Sequence, residues 1–194
     1  MAKKGEILDN PITGQGIIFR QTAEETDGTL LEVEAVYTKP SPSRPPTHYH
    51  PAQEERFEVL SGEVRVQVGG EARTLREGET LVIPAGTRHE MWAEAEGVRV
   101  NWQTRPAMKT ETFFETVWGL SRDGMTGSNG TPNLLQAAVI AQAYANEFRL
   151  ARPPWLMQRV LFAMLARLGR LFGYRASYPQ YPLSGEPSGS PRRA

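Results

Sequence analysis

Cysteine is absent from this chain of 194 residues. Its absence excludes disulfide bonds, thiolate metal sites, iron–sulfur clusters and cysteine nucleophiles. Long hydrophobic runs are missing too: no uncharged apolar stretch reaches about 18 residues, so a membrane-spanning helix is not expected. The first ten residues contain two lysines but no apolar segment behind them. We therefore expect no signal peptide and a cytoplasmic protein.

The chain also has no net charge at pH 7, because 22 Lys and Arg residues balance 22 Asp and Glu residues. This balance gives no reason to expect nucleic acid as a partner. It hides an asymmetry, however. Residues 1–105 have 12 basic and 17 acidic side chains, whereas residues 106–194 have 10 and 5. We therefore expect two different kinds of structure in the two halves.

Short alternating segments separated by turns fill the first half of the chain. In Glu63–Val68, three valines alternate with Glu, Arg and Gln, and Gly69-Gly70 then provides a hairpin turn. Similar strands are predicted at 29–38, 55–60, 72–75, 80–83, 89–94 and 98–104. Many short strands with no helical pattern between them predict an antiparallel sandwich or barrel.

The pattern changes after Pro106, where helices are predicted over 111–120, 132–150 and 154–172. The end of the chain is rich in Pro and Ser and is predicted to be a disordered tail. We therefore divide the chain into a barrel (1–106), a helical extension (107–175) and a tail (176–194).

Histidine is scarce, and all three histidines lie in the strand-rich half beside turns. His48 and His50 are two residues apart, so on a strand both side chains project to the same side. His89 follows a later turn. A lone histidine in a strand protein is more often structural than a ligand, but three together are hard to explain in that way.

A carboxylate close to the first two histidines completes a candidate metal site. Glu55 shares its strand face with apolar Phe57 and Val59, whereas Glu54 lies on the polar face. Glu55 is therefore expected to point into the barrel. Three imidazoles and one carboxylate that converge in a cavity suit one divalent transition metal ion, which could be Fe, Mn, Ni, Cu or Zn.

Two segments resemble the conserved motifs of the cupin superfamily. Residues 48–62, H-Y-H-P-A-Q-E-E-R-F-E-V-L-S-G, resemble the first motif, and residues 78–89, G-E-T-L-V-I-P-A-G-T-R-H, resemble the second. The short segment between them is similar to that of small bacterial single-domain cupins. The resemblance covers roughly residues 30–105.

This resemblance implies a mainly β fold, a double-stranded β-helix (jelly-roll) barrel, here with a helical C-terminal extension. The family's metal ligands correspond to His48, His50, Glu55 and His89. The chain departs from the pattern at two positions outside that set: Pro42 stands where glycine is expected, and Ala93 where asparagine is expected. These departures concern an entry loop and one polar contact. The resemblance also implies a homodimer.

The ligand set favours a metalloenzyme that acts on a small organic substrate, with a dioxygenase-like oxidoreductase preferred to a metal-dependent isomerase. Glu55 would be the catalytic residue and could stay on the metal or leave it to accept a substrate proton. Tyr37, Phe57, Met91 and Trp102 could line a pocket, although an ordinary barrel core is an equal explanation. The alternative is a non-catalytic module that binds a small molecule or metal. Substitution of Glu55 separates these hypotheses.

The last helix has an apolar stripe with three arginines opposite it. We expect this stripe to pack on the barrel or on a second subunit, because amphipathic helices usually bury their apolar face. The less favoured alternative is contact of residues 154–175 with an anionic membrane surface.

Overall fold

The computed structural model describes residues 2–181 and contains a barrel of antiparallel strands followed by three helices. The strands that precede the first helix are β1 (Ile7–Asp9), β2 (Gln15–Gln21), β3 (Leu31–Tyr37), β4 (His48–Tyr49), β5 (Glu54–Ser61), β6 (Glu63–Val68), β7 (Glu71–Arg76), β8 (Thr80–Ile83), β9 (His89–Trp92) and β10 (Val98–Arg105). The later elements are α1 (Thr110–Arg122), α2 (Leu134–Ala143), β11 (Arg149–Leu150) and α3 (Trp155–Leu171).

The strands form two sheets that share one core. One sheet has the order β1-β2-β3-β10-β5-β8, and the other has the order β11-β4-β9-β6-β7. Every strand pair is antiparallel. Alternate residues of β3, β5, β6 and β10 are buried, and apolar side chains from both sheets fill the space between them. The predicted jelly-roll barrel with a helical C-terminal extension is confirmed.

The helix predicted over 132–150 is wrong in its second half. The side chain of Asn133 caps the start of α2 by accepting the backbone N–H of Gln136 at 3.1 Å. The helix then ends at Ala143, and β11 pairs with β4 instead of continuing the helix. The helix propensity of residues 144–150 is overridden by tertiary structure, because the edge of β4 offers backbone hydrogen-bond partners to this segment.

Helix α3 does not bury its apolar stripe within residues 2–181. It packs against α2, and its buried residues are the small or polar Gln158, Ala166 and Gly169. A Cβ atom on Gly169 would lie 2.9 Å from Cγ2 of Val139, so glycine permits the close approach of the two helices. The expectation that the stripe packs on this chain's own barrel is therefore wrong. The stripe faces outward.

The first residues of the predicted tail are packed against α1. Tyr181 is buried and its hydroxyl donates to Asp123 at 2.9 Å, and Tyr178 donates to Gln136 at 2.5 Å. The remainder of the predicted tail, residues 182–194, lies outside the described residues. Among residues 2–181, no helix is both long enough and apolar enough to cross a membrane.

Candidate metal centre

Strand pairing brings the three histidines together. His48 on β4 lies directly opposite His89 on β9, and the two ring centroids are 4.4 Å apart. The His50 ring lies 5.2 Å from that of His48 and 5.4 Å from that of His89. The backbone N–H of Gly86 donates to the carbonyl of His50 at 2.8 Å, which joins the turn before His89 to the segment that contains the other two histidines. Gly86 has φ +79°, which glycine adopts without strain.

Each imidazole is oriented by a backbone carbonyl that contacts its Nδ1 atom. The partners are Pro46 for His48 at 2.9 Å, Glu147 for His50 at 2.5 Å, and Thr87 for His89 at 2.9 Å. A carbonyl accepts only, so the proton of each neutral imidazole is on Nδ1. Each Nε2 is then left to bind a metal ion, which is the arrangement found in metal-ligating histidines. The Nε2 atoms of His50 and His89 face the Glu55 carboxylate.

Glu55 completes the cluster. It is 1% exposed on the inner face of β5, whereas Glu54 is exposed, so the structure places Glu55 on the face that strand parity predicts. Its Oε2 lies 2.8 Å from Nε2 of His89 and 3.2 Å from Nε2 of His50. Its Oε1 accepts the indole N–H of Trp102 at 2.9 Å. One carboxylate oxygen is therefore fixed by Trp102 and the other faces the imidazoles.

Burial and mutual charge shift the pKa values of these groups. Burial and the two neighbouring imidazoles lower the pKa of His48 to about 3. Burial alone would raise the pKa of the Glu55 carboxyl, but the three imidazoles outweigh it and hold that pKa below its usual value. Burial opposes charge on His89, yet the Glu55 carboxylate raises its pKa. The site thus favours an ionised Glu55.

These atoms fit a metal ion. The three histidines can each offer one nitrogen such that these atoms lie within 4.8 Å of one another. Nε2 of His50 and Oε2 of Glu55 are buried and have no hydrogen-bond partner among the described residues. Two lone-pair acceptors at such short distances repel each other unless a cation lies between them. One transition metal ion held by the three histidines, with the Glu55 carboxylate beside them, would satisfy both atoms.

Three of the four candidate pocket residues lie on the same side of the barrel as this centre or next to it. Trp102 contacts Glu55 directly, and the ring of Phe57 is 5.5 Å from that of Trp102. Met91 follows His89 by two residues, shares its strand face and packs into the core. All three also pack in the barrel core, and their role as pocket walls stays a prediction.

Tyr37 is not part of the site, and this prediction is wrong. Tyr37 pairs with Val98, whereas Glu55 pairs with Thr104 at the other end of β10. That difference along the strand is about 20 Å. The Tyr37 hydroxyl accepts a hydrogen bond from Gln15 at 2.9 Å, so the side chain belongs to the far end of the core.

The extension supplies residues to the site that the sequence did not reveal. The Phe148 ring lies 4.7 Å from that of His48, and the carbonyl of Glu147 holds His50. Phe113 on α1 stacks on Phe148 at 5.8 Å. The only sequence signal was the run of aromatic residues in a predicted helix, which did not indicate contact with a histidine. Residues 147–150 and α1 therefore close one side of the centre.

Comparison with known proteins agrees with this fold. The family model for the Cupin domain matches residues 36–102, which include both motif segments and all four candidate ligands. This match and the jelly-roll topology support assignment of the barrel to the cupin superfamily. The narrower likeness to small bacterial cupins is not supported, because the similar curated proteins are fungal.

Three fungal proteins illustrate this similarity. The chain is 28% identical over 177 residues to the "Probable oxidoreductase virH" of Hypocrea virens, covering 81% of this chain and 79% of that protein. It is 26% identical to an oxidoreductase of Arthrobotrys oligospora, covering 73% and 60%. It is 29% identical to the "Probable oxidoreductase yanE" of Aspergillus niger, covering 79% and 66%. The chain therefore spans about three fifths to four fifths of these relatives.

Among solved structures, KdgF from Halomonas sp. has 20% sequence identity and a TM-score of 0.47, and the match covers 55% of this chain and 90% of that chain. An RmlC-like cupin from Shewanella frigidimarina has 19% identity and a TM-score of 0.47, with 57% and 92% covered.

Proposed function

We propose that this protein is a metal-dependent oxidoreductase of the dioxygenase type that acts on a small organic molecule. The observation that supports this most directly is the clustering of three imidazoles, each anchored through Nδ1, with Nε2 of His50 and of His89 facing the same oxygen of Glu55. The oxidoreductase names of the fungal relatives favour this chemistry over isomerisation.

His48, His50, Glu55 and His89 would hold the ion. A redox-active Fe, Mn or Cu ion with open coordination positions would supply dioxygen binding and Lewis-acid activation. The protein keeps the imidazoles oriented, because each Nδ1 is held by a backbone carbonyl. The low pKa of His48 keeps its Nε2 available well below neutral pH.

Glu55 is better suited to bind the ion than to accept a substrate proton. A general base works best when its pKa is near the working pH, but the imidazoles lower the pKa of Glu55 below its ordinary value. The hydrogen bond from Trp102 also fixes the carboxylate in one orientation. We therefore assign Glu55 as the fourth ligand.

The walls of the centre favour a substrate with an apolar or aromatic part. A chain of neighbouring rings connects Phe148, Phe113, Phe114, Trp102 and Phe57, with centroid separations from 5.0 to 6.1 Å. Such rings provide apolar contact area and exclude water, while the metal provides the polar attachment point. A small molecule with one metal-binding oxygen group and an apolar body fits this environment.

The first experiment is elemental analysis of the gently purified full chain by inductively coupled plasma mass spectrometry. We expect near-stoichiometric Fe, Mn or Cu, and loss of this metal in the double variant His48→Ala/His50→Ala. Tyr49→Phe, which alters the residue between the two histidines, is the matched control and should keep the metal. Absence of metal after reconstitution with each of these ions would overturn the proposal.

Oxygen uptake with the metal-loaded protein then tests the catalytic part. Glu55→Gln should abolish turnover of a substrate that the wild-type protein oxidises, while the exposed neighbour variant Glu54→Gln should retain it. A protein that binds metal and small molecules tightly, but consumes no oxygen with any member of a phenol, enol and hydroxyketone panel, would instead be the non-catalytic module.

A further inference from the structure

The outward stripe of α3 is the most unusual surface among the described residues. Large apolar side chains usually lie inside a protein, yet those of this helix are exposed by 40% to 84%. They are Leu156, Met157, Val160, Leu161, Met164, Leu168, Leu171 and Phe172. At 100° per residue they cover an arc of about 160°. We call this set the α3 stripe.

The orientation of the stripe is set by the packing of α3 on α2. Gly169 and Ala166 allow α3 to approach α2 closely, and Gln158 donates to the carbonyls of Leu150 and Pro153 at 2.7 and 2.6 Å. The buried face of the helix is thereby fixed against the protein. The α3 stripe on the opposite face must point away from it.

The charged residues of the segment that contains the stripe all have one sign. Residues 148–181 contain six arginines and no Asp or Glu. The sequence pattern predicted three arginines opposite the stripe, but the exposed Leu156 widens the stripe on that side. Arg159, Arg167 and Arg170 therefore lie along one edge of the α3 stripe, within about 80° of each other around the helix. This edge complements an anionic surface.

A groove beside the stripe has the same chemical character. It has a volume of about 560 Å³ and lies between α2 and α3, away from the histidines. Ala141, Phe162 and Ala163 are among its apolar lining residues, and Arg159 and Arg167 are among the charged ones. Apolar walls next to guanidinium groups suit a molecule with an apolar chain and an anionic group.

We propose that α3 docks this protein on an anionic phospholipid surface, with the α3 stripe in the boundary between headgroups and acyl chains. The helix lies in the plane of the surface, consistent with the absence of a spanning helix among residues 2–181. The arginine edge contacts the lipid phosphates, and the groove accommodates part of a lipid chain. This proposal is independent of the metal centre.

Other occupants fit less well. In an antiparallel two-fold pair of α3 helices, the arginine edges of both copies fall on the same side, where like charges repel. Residues 182–194 of this chain contain Leu183 as their only large aliphatic or aromatic side chain, which is too little apolar surface to match eight exposed ones. A lipid surface supplies both the apolar volume and the negative charge.

Co-sedimentation of the full chain with vesicles tests the proposal. The vesicles consist of phosphatidylcholine, with or without phosphatidylserine. We expect binding to the vesicles that contain phosphatidylserine. The stripe variant Val160→Gln/Met164→Gln/Leu168→Gln should bind them at least about tenfold more weakly, because it removes apolar contact while keeping good helix formers.

A second variant and a control separate apolar from electrostatic contact. The variant Arg159→Gln/Arg167→Gln/Arg170→Gln should bind vesicles that contain phosphatidylserine about tenfold or more weakly than the wild type. Its binding to vesicles of phosphatidylcholine alone should not change. Met125→Gln, an exposed apolar residue outside α3, should behave like the wild type. Circular dichroism and thermal unfolding check that each variant is folded.

Three results would overturn the proposal. The first is failure of the wild-type protein to bind phosphatidylserine vesicles. The second is undiminished binding by the folded stripe variant. The third is a wild-type dimer in sedimentation equilibrium that the stripe variant abolishes, together with no vesicle binding, which would identify a second copy as the occupant.

Discussion

The Nδ1 atom of His50 and the backbone carbonyl of Glu147 form a hydrogen bond at 2.5 Å, although 97 residues separate them in the chain. The barrel supplies the imidazole, and the helical extension supplies the group that orients it. This contact makes the extension part of the candidate metal centre. The pairing of β11 with β4 holds the two segments in place.

Removal of the aromatic cover should loosen the centre without dismantling it. In Phe148→Ala, the ring that lies over His48 is lost, so water and chelators reach the ligands more easily. We expect metal loss to EDTA to accelerate about tenfold, with the fold retained. Phe172→Ala is the control, because Phe172 is exposed and outside the site. Equal chelation rates in both variants would refute the covering role of Phe148.

Loss of the hydrogen bond from the Trp102 indole to Glu55 should weaken metal binding by the four candidate ligands. Trp102→Phe keeps an aromatic ring but leaves Oε1 of Glu55 without its N–H partner. Metal affinity or turnover should fall about 10-fold to 100-fold. Trp118→Phe is a matched control, because Trp118 donates its indole N–H to the carbonyl of Gln15 instead. Competition titration with a metal indicator measures both affinities, and equal values would contradict the role of Trp102.

The buried carboxylate of Glu34 should make stability depend on pH. Burial would raise the pKa of Glu34, but hydrogen bonds from Arg99 and Arg20 lower it overall. Because the pKa of Glu34 is lower in the folded state than in the unfolded state, its carboxylate stabilises the protein at pH values above the ordinary pKa of glutamate. This contribution is lost as the pH falls through the folded-state pKa.

Glu34→Gln should therefore reduce the free energy of unfolding by about 1–2 kcal/mol at neutral pH, a modest value because both arginine side chains are about half exposed and screened. The difference should shrink at a pH of about 3. Urea unfolding at both pH values measures it. Glu58→Gln, which breaks a more exposed pair with Arg56, should have little effect at either pH. A pH-independent cost would contradict this explanation.

The contact between Gly119 and Tyr181 should decide whether the substitution Gly119→Ala stabilises or destabilises the protein. A Cβ atom on Gly119 would lie 2.4 Å from Cγ of Tyr181, so Gly119→Ala should destabilise the protein by about 1–3 kcal/mol. In the Tyr181→Ala background, the same substitution should stabilise it by about 0.5–1 kcal/mol, because alanine is the better helix former. Thermal unfolding of the four proteins tests this cycle. A constant effect in both backgrounds would show that Tyr181 does not pack there.

Local patterns predicted much of the barrel and the candidate ligands. Alternation in segments such as Glu63–Val68 depends only on the two-residue period of a strand, so it is readable without any tertiary information. The same period selected Glu55 over Glu54 as the inward carboxylate, and the structure buries Glu55. The metal itself, the substrate, a homodimer and a cytoplasmic location stay predictions.

The alternation of side chains along a strand shows which face a residue is on, but not at which level of the barrel it lies. Tyr37 has the inward parity expected of a pocket residue, but it lies about 20 Å from the level of Glu55. That level is set by the register between β3, β10 and β5, which depends on pairing across many residues.

The sequence by itself determined which residues alternate into a barrel core, which four side chains could share a metal ion, and which face of α3 is apolar. Only the tertiary structure decided that β11 returns to β4, that Glu147 and Phe148 reach the histidines, and that α3 packs through Ala166 and Gly169 with its apolar stripe outward. The reason is that periodicity reports the direction of a side chain relative to its own element. What that side chain meets depends on where distant parts of the chain return.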